Sequence, residues 1–248
     1  GEGQVKVVNA RLTADPLTLE IPGGKFKGGF FFHPKANGTL DWGVTAEAKR
    51  FQVGVLARRY DSNSPLSGLA DAKIDLRADG IKFDTPRVRA ASGTIFCDFC
   101  PENLDAGALD IWATNLIRVL IPNLDRRNDS EVNCLIAELT LRNGIIEPDV
   151  LILDTTTTRV AAGGKIDLRK REYDLKLNPV AKRPQILTLE VPLGVTGPFS
   201  KPDINMGRRP VLRSVAGLTE STVLFPARFL TSDRLPADGS DICPCTKE

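Results

Sequence analysis

The sequence lacks the features that mark several common classes of protein. Of its 248 residues, 33 are Lys or Arg and 31 are Asp or Glu, and the net charge of +2 argues against bulk electrostatic attraction to nucleic acid. No apolar run approaches the roughly eighteen residues that a membrane-spanning helix needs. The opening residues, GEGQVKVVNARL, have neither the basic start nor the apolar stretch of a signal peptide. Because the chain opens on Gly, these residues do not decide the compartment.

Residues with catalytic chemistry are scarce as well. The single histidine, His33, follows the aromatic run FFF and precedes Pro34, which is more typical of a strand end than of a catalytic base. The sequence contains no nucleophile elbow, phosphate-binding loop or paired-histidine metal motif. The threonines of LDTTTTRV fit strand propensity better than a hydroxyl-rich site. We therefore expect a non-enzymatic binding protein with no cofactor and no metal.

What is present fits a folded β protein. Hydrophobic residues make up 42% of the chain and charged residues 26%, and its length permits one substantial core or two modest ones. Between Gly163 and Pro179, in GGKIDLRKREYDLKLNP, apolar residues recur at every second position on both sides of RKRE. This period of two predicts a hairpin with one apolar face and one solvated face.

Three segments share this pattern and indicate a repeated unit. AKIDLRADGIKFD begins at Ala72, AELTLRNGIIEPD at Ala137 and GKIDLRKREYDLK at Gly164, and the pentapeptide KIDLR occurs twice. Each segment has an alternating run, an Arg, a turn sequence and a second alternating run. ADG and RNG supply residues that tight turns require. The recurrence predicts three hairpins of similar construction.

Most of the remaining chain also has strand character, with one exception. QVKVVNARLTADPLTLEIPGGKFKGGFFF predicts two or three strands, DWGVTAEAKRFQVGVLARR a strand and a connection, and PQILTLEVPLGVTGPF a late strand. The exception is 104–121, where Leu109, Trp112 and Leu116 recur at helical spacing and Pro122 follows. Because this predicted helix is apolar almost all round, we expect it to be buried against the apolar side of the sheet.

Five cysteines are candidates for disulfide bonds: Cys97 and Cys100 in CDFC, Cys134 in VNCLI, and Cys243 and Cys245 in CPC. In an oxidising compartment disulfides are the ordinary use of such residues, and the odd count leaves one thiol over. A four-thiolate zinc site is an alternative, although CPC is tighter than the usual spacing. The spacing does not assign partners: CDFC permits a short loop, and a link from it to Cys134 or to the tail would staple distant parts of the sheet.

A series of longer motifs resembles the carboxy-terminal region of the AsmA family of envelope proteins, to which the TamB-like proteins are related. In chain order these motifs are PLSGLADAKIDLRADG, PENLDAGALDIWATNLI, VNCLIAELTLRNGII, GGKIDLRKREYDLKLNP, LTLEVPLGVTGPFSKPDI and RLPADGSDIC. The stretch from GGKIDLRKREYDLKLNP to LEVPLGVTGPFSKP is the most specific part. The resemblance covers about residues 40–243. It does not assign the paired cysteines.

The resemblance implies a mainly β fold, in which a curled antiparallel sheet of repeated hairpins forms an elongated apolar groove. One buried helix at about 104–121 and a C-terminal helical tail complete the expected fold. We expect a groove domain over 1–206 and a basic amphipathic tail over 207–248. The family further implies a periplasmic location, with an inner-membrane anchor and a long amino-terminal groove that these residues do not contain.

In function, the resemblance implies a non-catalytic protein that handles phospholipid or another acyl lipid or supports the outer membrane. The apolar strand positions that we expect to contact lipid are Ile74, Leu76, Leu139, Leu141, Leu151, Leu153, Ile166, Leu168, Leu175, Leu177, Leu189 and Val191. The alternative is a structural or accessory subunit of an envelope complex, in which the same scaffold has a closed core.

The tail differs from the rest of the chain in its pattern. Between 206 and 230 the period of two is lost, and Val211, Val215 and Leu218 follow a helical stripe. Four arginines surround this stripe: Arg208, Arg209, Arg213 and Arg228. They predict contact with an anionic membrane surface or an envelope protein. The alternative is a helix that covers the exposed edge or open end of the sheet.

Overall fold

The structure, a computed structural model, describes residues 1–82, 87–104, 130–182, 192–206 and 235–247. Within these residues the chain forms twelve strands and one short α-helix. The strands are β1 Glu2–Val8, β2 Arg11–Ile21, β3 Gly24–Pro34, β4 Thr39–Gln52, β5 Gly68–Lys82, β6 Ser92–Pro101, β7 Val132–Arg142, β8 Ile145–Thr155, β9 Thr158–Asp167, β10 Glu172–Ala181, β11 Leu193–Pro198 and β12 Asp203–Met206. Helix α1 spans Val53–Tyr60, and short 3-10 turns span Arg87–Ala90 and Pro244–Lys247.

All twelve strands form one antiparallel sheet in chain order. Each strand from β2 to β11 pairs with the strand before it and the strand after it. The sheet is curled and does not close, because β1 and β12 are its two edges. The prediction of a mainly β protein built on a curled antiparallel sheet is confirmed. In the part of the chain that the structure describes, no helix is both long and apolar enough to cross a membrane.

Two of the three predicted hairpins are present. Strands β7 and β8 turn through Asn143 and Gly144, whose φ values of 48° and 77° lie in the left-handed region that such turns require. Strands β9 and β10 turn through 168–171, and Ile166 pairs with Tyr173 as the alternation predicts. Both turns lie where the local sequence predicts them.

The third predicted hairpin, which begins at Ala72, is wrong. Strand β5 continues through ADG to Lys82, and Gly80 lies within the strand with a φ of 63°. The backbone N–H of Gly80 donates to Asp41 Oδ1 at 2.7 Å, and the register of β4 and β5 shifts between Leu40 and Trp42. The glycine therefore accommodates a bulge against the neighbouring strand and does not reverse the chain.

Helix α1 occupies the region where the sequence predicts only a connection. Gly54 is buried, and a Cβ there would lie 2.9 Å from the carbonyl oxygen of Leu66, so the helix fits closely against the chain that leads into β5. Arg58 and Arg59 lie in its last turn, where positive charge favours the helix dipole. The predicted 104–121 helix lies outside the described residues except for Leu104, which is buried and 1% exposed.

Most of the described core lies on one face of the sheet, which we call the apolar face. One cluster of buried side chains consists of Leu40, Trp42, Ala78, Ile81, Ala91 and Leu141. A second consists of Leu104, Val132, Val160, Ala162, Leu177, Leu193 and Val195. A smaller cluster of Val150, Ile152 and Ala161 lies on the other face, where Ile242 packs against it. We call this second face the clamp face because the C-terminal residues are fastened to it.

Candidate functional site

The apolar face continues from strand to strand because apolar residues are register partners. Ile74 of β5 pairs with Ile95 of β6, and Ile95 pairs with Leu139 of β7. Paired residues in an antiparallel sheet project to the same side, so each pairing carries the apolar surface one strand further. Further along the same face, toward the edge strand β12, Leu175 of β10 pairs with Val195 of β11 in the same way.

The structure places all the described residues predicted to contact lipid on this one face. Strand register and alternation put nine of them there: Ile74, Leu76, Leu139, Leu141, Leu151, Leu153, Ile166, Leu175 and Leu177. Leu168 follows β9 in the turn and packs against the Trp42 cluster. Leu189 and Val191 lie outside the described residues, as do the four predicted contact arginines of the tail.

The central part of the apolar face is less buried than its two clusters. Ile74, Ile95 and Leu139 are half-buried and belong to neither cluster. Leu141, by contrast, is only 1% exposed. The cross-strand row of Ile74, Ile95 and Leu139 is therefore the part of the face with aliphatic surface left available.

Several residues of the apolar face were absent from the predicted set. Trp42 and Val44 alternate in β4, and Phe30 and Phe32 alternate in β3, where Phe30 pairs with Val44 and Phe32 with Trp42. The alternation in GGFFF and DWGV carries the signal that would have identified them. His33, in the same strand, is a strand-end residue as predicted, and its Nδ1 lies 4.0 Å from Asp41 Oδ2.

The clamp face holds a buried ionic network that joins the end of the chain to the sheet. We call residues 235–247 the C-terminal clamp. Arg159 of β9 donates through Nη1 and Nη2 to the carboxylate of Asp241 at 2.7 and 2.6 Å, and its Nε donates to Asp154 Oδ1 at 2.7 Å. Burial opposes the charged form of Arg159, but the hydrogen bonds that it donates to Asp241 and Asp154 raise its pKa. The guanidinium is thus held between two carboxylates.

Asp154 connects this network to two further side chains. Lys182 Nζ donates to Asp154 Oδ2 at 2.6 Å, and Asn133 Nδ2 donates to the same oxygen at 2.7 Å. Both donors also reach the carbonyl oxygen of Ala237 in the C-terminal clamp, at 3.3 and 2.7 Å. Burial lowers the pKa of Lys182, an effect that Asp154 opposes. Two cations and two carboxylates therefore balance in charge, with Arg159, Asp154 and Lys182 buried and Asp241 37% exposed.

The threonine run follows the network at the connection between β8 and β9. Thr155 ends β8 and Thr158 begins β9, as strand propensity predicts, and the two threonines between them form the connecting turn. Thr155 is fully buried, and its Oγ1 accepts from the N–H of Thr158 at 3.0 Å. These hydroxyls therefore satisfy backbone groups of the turn.

Two disulfide bonds fasten the C-terminal clamp to neighbouring strands. Cys100 of β6 bonds to Cys245 over a sequence separation of 145, and Cys134 of β7 bonds to Cys243 over a separation of 109. The short loop that CDFC permits is not formed, and Cys97 is the free thiol. Cys97 lies on the apolar face, since it pairs with Ala72 and Ala137, and burial raises its pKa.

Four of the five cysteines form the two disulfides and do not form the zinc site that the sequence left open. Among the described residues, which include all five cysteines, no group of three or more His, Cys, Asp or Glu side chains is arranged to hold a metal ion. The chemistry of the clamp face is therefore that of a covalent and ionic attachment, while the apolar face offers a hydrocarbon surface.

Comparison with known proteins gives one informative similarity. Neither a family model nor a solved structure matches the chain. The chain is 26% identical to the AsmA family protein YhjG of Escherichia coli (strain K12) over 232 residues, which is 93% of this chain and 34% of that protein. The chain thus spans about a third of the length of this relative. The similarity extends over most of the chain, and it supports an AsmA-like family assignment.

Proposed function

We propose that the chain is a non-catalytic lipid-binding module of the cell envelope, in which the curled sheet forms a groove lined by the apolar face. The observation that carries this proposal is the cross-strand row of half-buried Ile74, Ile95 and Leu139 between two buried clusters. Large apolar surfaces are rarely left in water, so an apolar ligand is a natural occupant for this row. Phospholipid or another acyl lipid is the ligand that fits the family assignment.

The chemistry of an acyl chain suits this surface. Each buried methylene contributes about 0.8 kcal/mol, so a long acyl chain gains on the order of 10 kcal/mol before its ordering cost is subtracted. The side chains along the row are aliphatic and non-directional in their contacts. They would accept acyl chains of different lengths, with little selectivity for the headgroup.

The disulfides support a location in an oxidising compartment, which in the cell envelope is the periplasm. Both bonds link strands to a segment more than a hundred residues away, so they contribute to the folded architecture and not to a local loop. Structural disulfides of this kind form and persist outside the reducing cytosol. We propose that an inner-membrane anchor outside these residues holds the domain there.

Lipid extraction tests the proposal directly. Protein purified without added lipid should release phospholipid into organic solvent, and mass spectrometry should detect it in amounts approaching one lipid per chain. The same protein, after delipidation, should take up a fluorescent phospholipid. A folded preparation that yields no lipid and takes up none would overturn the proposal in favour of a closed core and a structural role in an envelope complex.

A matched pair of variants locates the binding surface. Ile95→Asp places a carboxylate in the centre of the apolar row, and Thr94→Asp places the same group on the adjacent, exposed position of β6 that faces the other way. Lipid uptake should fall at least tenfold in Ile95→Asp and remain unchanged in Thr94→Asp. Circular dichroism of both variants establishes that the fold is retained. Equal uptake by both folded variants would contradict the assigned face.

The basic tail remains a proposed contact with an anionic membrane surface or an envelope protein. Truncation would also remove the C-terminal clamp, so charge reversal is the sharper test. Replacement of Arg208 and Arg209 by Glu should weaken flotation with anionic vesicles, and raised salt should have the same effect on the unaltered protein. Binding that ignores both changes would favour a tail that covers the sheet.

A further inference from the structure

The four paired cysteines lie together on the clamp face. Phe99 of β6 pairs with Leu135 of β7, and the same register continued by one residue sets Cys100 opposite Cys134. Their partners, Cys243 and Cys245, are separated only by Pro244. Two disulfides therefore join one short CPC stretch to two directly opposed positions on neighbouring strands.

The two disulfides differ in their access to solvent. Cys134 and Cys243 are both 0% exposed, whereas Cys245 is exposed and Cys100 is half-buried. Thiol–disulfide exchange requires an attacking thiolate to reach one of the bonded sulfurs. A reductant from solution can therefore reach the Cys100–Cys245 bond but is excluded from the Cys134–Cys243 bond.

A thiolate at Cys100 has the access to the buried bond that an external reductant lacks. Directly opposed residues of antiparallel strands have Cα atoms about 4.5–5.5 Å apart. This separation falls within the range of about 4.4–6.8 Å over which a disulfide forms. Once Cys100 is released from Cys245, it faces Cys134 across the strand pair at a distance suited to bonding.

We propose that these four cysteines form a thiol–disulfide relay that releases the C-terminal clamp. A dithiol reductant first cleaves Cys100–Cys245, giving up two electrons and becoming a disulfide itself. The Cys100 thiolate then attacks Cys134 Sγ, which forms a Cys100–Cys134 bond and expels Cys243 as a thiolate. One dithiol is thus oxidised, Cys243 and Cys245 leave as thiols, and one disulfide remains between β6 and β7.

The relay removes both covalent links of the clamp with a single reduction. Afterwards the clamp is held by the Arg159–Asp241 ion pair, by the packing of Ile242 and by hydrogen bonds to Ala237. These contacts permit opening and reclosing, and reoxidation by a disulfide-bearing partner reverses the sequence. The relay lies on the face opposite Ile95, so it stands or falls independently of lipid binding.

Two substitutions, each made in a Cys97→Ser background, test the relay without added reductant. In a Cys97→Ser background, Cys245→Ser leaves Cys100 as a free thiol, and Cys100→Ser leaves Cys245 free. After acid quenching, alkylation and non-reducing peptide mapping, Cys245→Ser should contain a Cys100–Cys134 bond and an alkylated Cys243. Cys100→Ser should keep Cys134 bonded to the CPC stretch. Cys245→Ser protein with alkylated Cys100 and an intact Cys134–Cys243 bond would overturn the relay.

Stoichiometric reduction of the Cys97→Ser protein provides the second test. One equivalent of dithiothreitol should give alkylated Cys243 and Cys245 together with the Cys100–Cys134 bond. Hydrogen–deuterium exchange of 235–247 should rise in the same sample while β7–β9 stay protected. Alkylation of Cys100 and Cys245 with Cys134–Cys243 retained, or reduction of both bonds together, would refute the proposed transfer.

Discussion

Arg159 and Asp241 form a two-point ion pair across 82 positions of sequence, and the Arg159 side chain is 0% exposed. The guanidinium belongs to a strand in the middle of the chain, and the carboxylate belongs to the C-terminal clamp. The Nε of Arg159 donates to Asp154. Loss of either acid therefore removes part of the negative charge that compensates the buried guanidinium. The pair therefore makes the end of the chain part of the folded sheet.

Replacement of Arg159 by Leu should destabilise the protein by about 3–5 kcal/mol, because it leaves the buried Asp154 and the attached Asp241 without their shared cation. Urea denaturation measures the change. Arg142→Leu is the matched control: its side chain is 71% exposed and pairs with Glu147 on the surface, so the change should be under about 1 kcal/mol. Equal effects of the two substitutions would contradict the buried role of Arg159.

Gly239→Ala should loosen the C-terminal clamp. Gly239 has a φ of 69°, and an added Cβ would lie 2.5 Å from Asp154 Oδ2 and 2.7 Å from Cys243 Sγ. Gly38→Ala separates the two causes, since Gly38 has a similar φ of 75° but nothing within 4 Å of the added atom. We expect a cost of about 1 kcal/mol at Gly38 and a clearly larger one at Gly239. Thermal denaturation distinguishes them, and equal costs would mean that Gly239 has room.

Truncation to Ala should have very different effects on the stability of the protein at two adjacent residues of β10. Leu177 is 5% exposed on the apolar face, and its replacement by Ala should cost about 2–5 kcal/mol through lost burial and a residual cavity. Lys176 is exposed on the other face, and Lys176→Ala should change stability by less than about 0.5 kcal/mol. Chemical denaturation of both variants checks the facing of the strand. A larger loss at Lys176 would show that the facing is reversed.

Trp42 contributes through its ring and not through its indole N–H. It is 7% exposed, and in the part of the chain that the structure describes its Nε1 has no hydrogen-bond partner. Trp42→Phe should therefore cost less than half as much as Trp42→Ala, for which we expect about 3–5 kcal/mol. Thermal denaturation followed by circular dichroism measures both. A Phe variant as unstable as the Ala variant would reveal a hydrogen bond of the indole.

Asp98 should make the fold less stable as the pH rises from about 4 to about 6. Burial, with a smaller contribution from Asp71, raises the pKa of Asp98 from 3.8 to about 6. In this interval the folded protein holds a proton that the unfolded chain has lost, so rising pH favours unfolding. The stability advantage of Asp98→Asn over the unaltered protein should grow across this interval and level off above it.

Denaturant titrations at several pH values test this prediction. The difference between variant and unaltered protein isolates Asp98 from carboxylates with the opposite behaviour, such as Asp41, whose pKa is lowered by Lys35. Asp75→Asn, at an exposed position of β5, is the control substitution. A stability difference that does not vary between pH 4 and pH 6 would mean that Asp98 titrates normally.

The pentapeptide KIDLR shows how far local sequence reaches. The alternation correctly predicts an extended strand for the whole first copy, which lies within β5, and for the second copy as far as Asp167, where β9 ends. The second copy leads into the β9–β10 turn, whereas the first leads into a bulge inside β5. At the bulge, Asp41 of β4 accepts the N–H of Gly80. A partner on another strand is invisible in the alternation of the strand itself.

The sequence does not predict helix α1, for a related reason. Its eight residues, Val53–Tyr60, follow a strand without a side-chain cap and are too few for a clear helical period. The helix packs against the chain near Leu66, because buried Gly54 allows a close approach there. This packing helps to hold the helix in place. The stability of so short a helix comes from packing more than from propensity.

The sequence by itself determined the antiparallel sheet, its two faces and the apolar positions Ile74, Leu139 and Leu177, because side chains of an extended backbone alternate with a period of two. Tertiary structure decided the cysteine partners, the ionic network of Arg159 and the seat of the C-terminal clamp. Those features depend on contacts between groups up to 145 residues apart, and such contacts depend on the strand order and curl of the whole sheet. Local periodicity carries no information about such encounters.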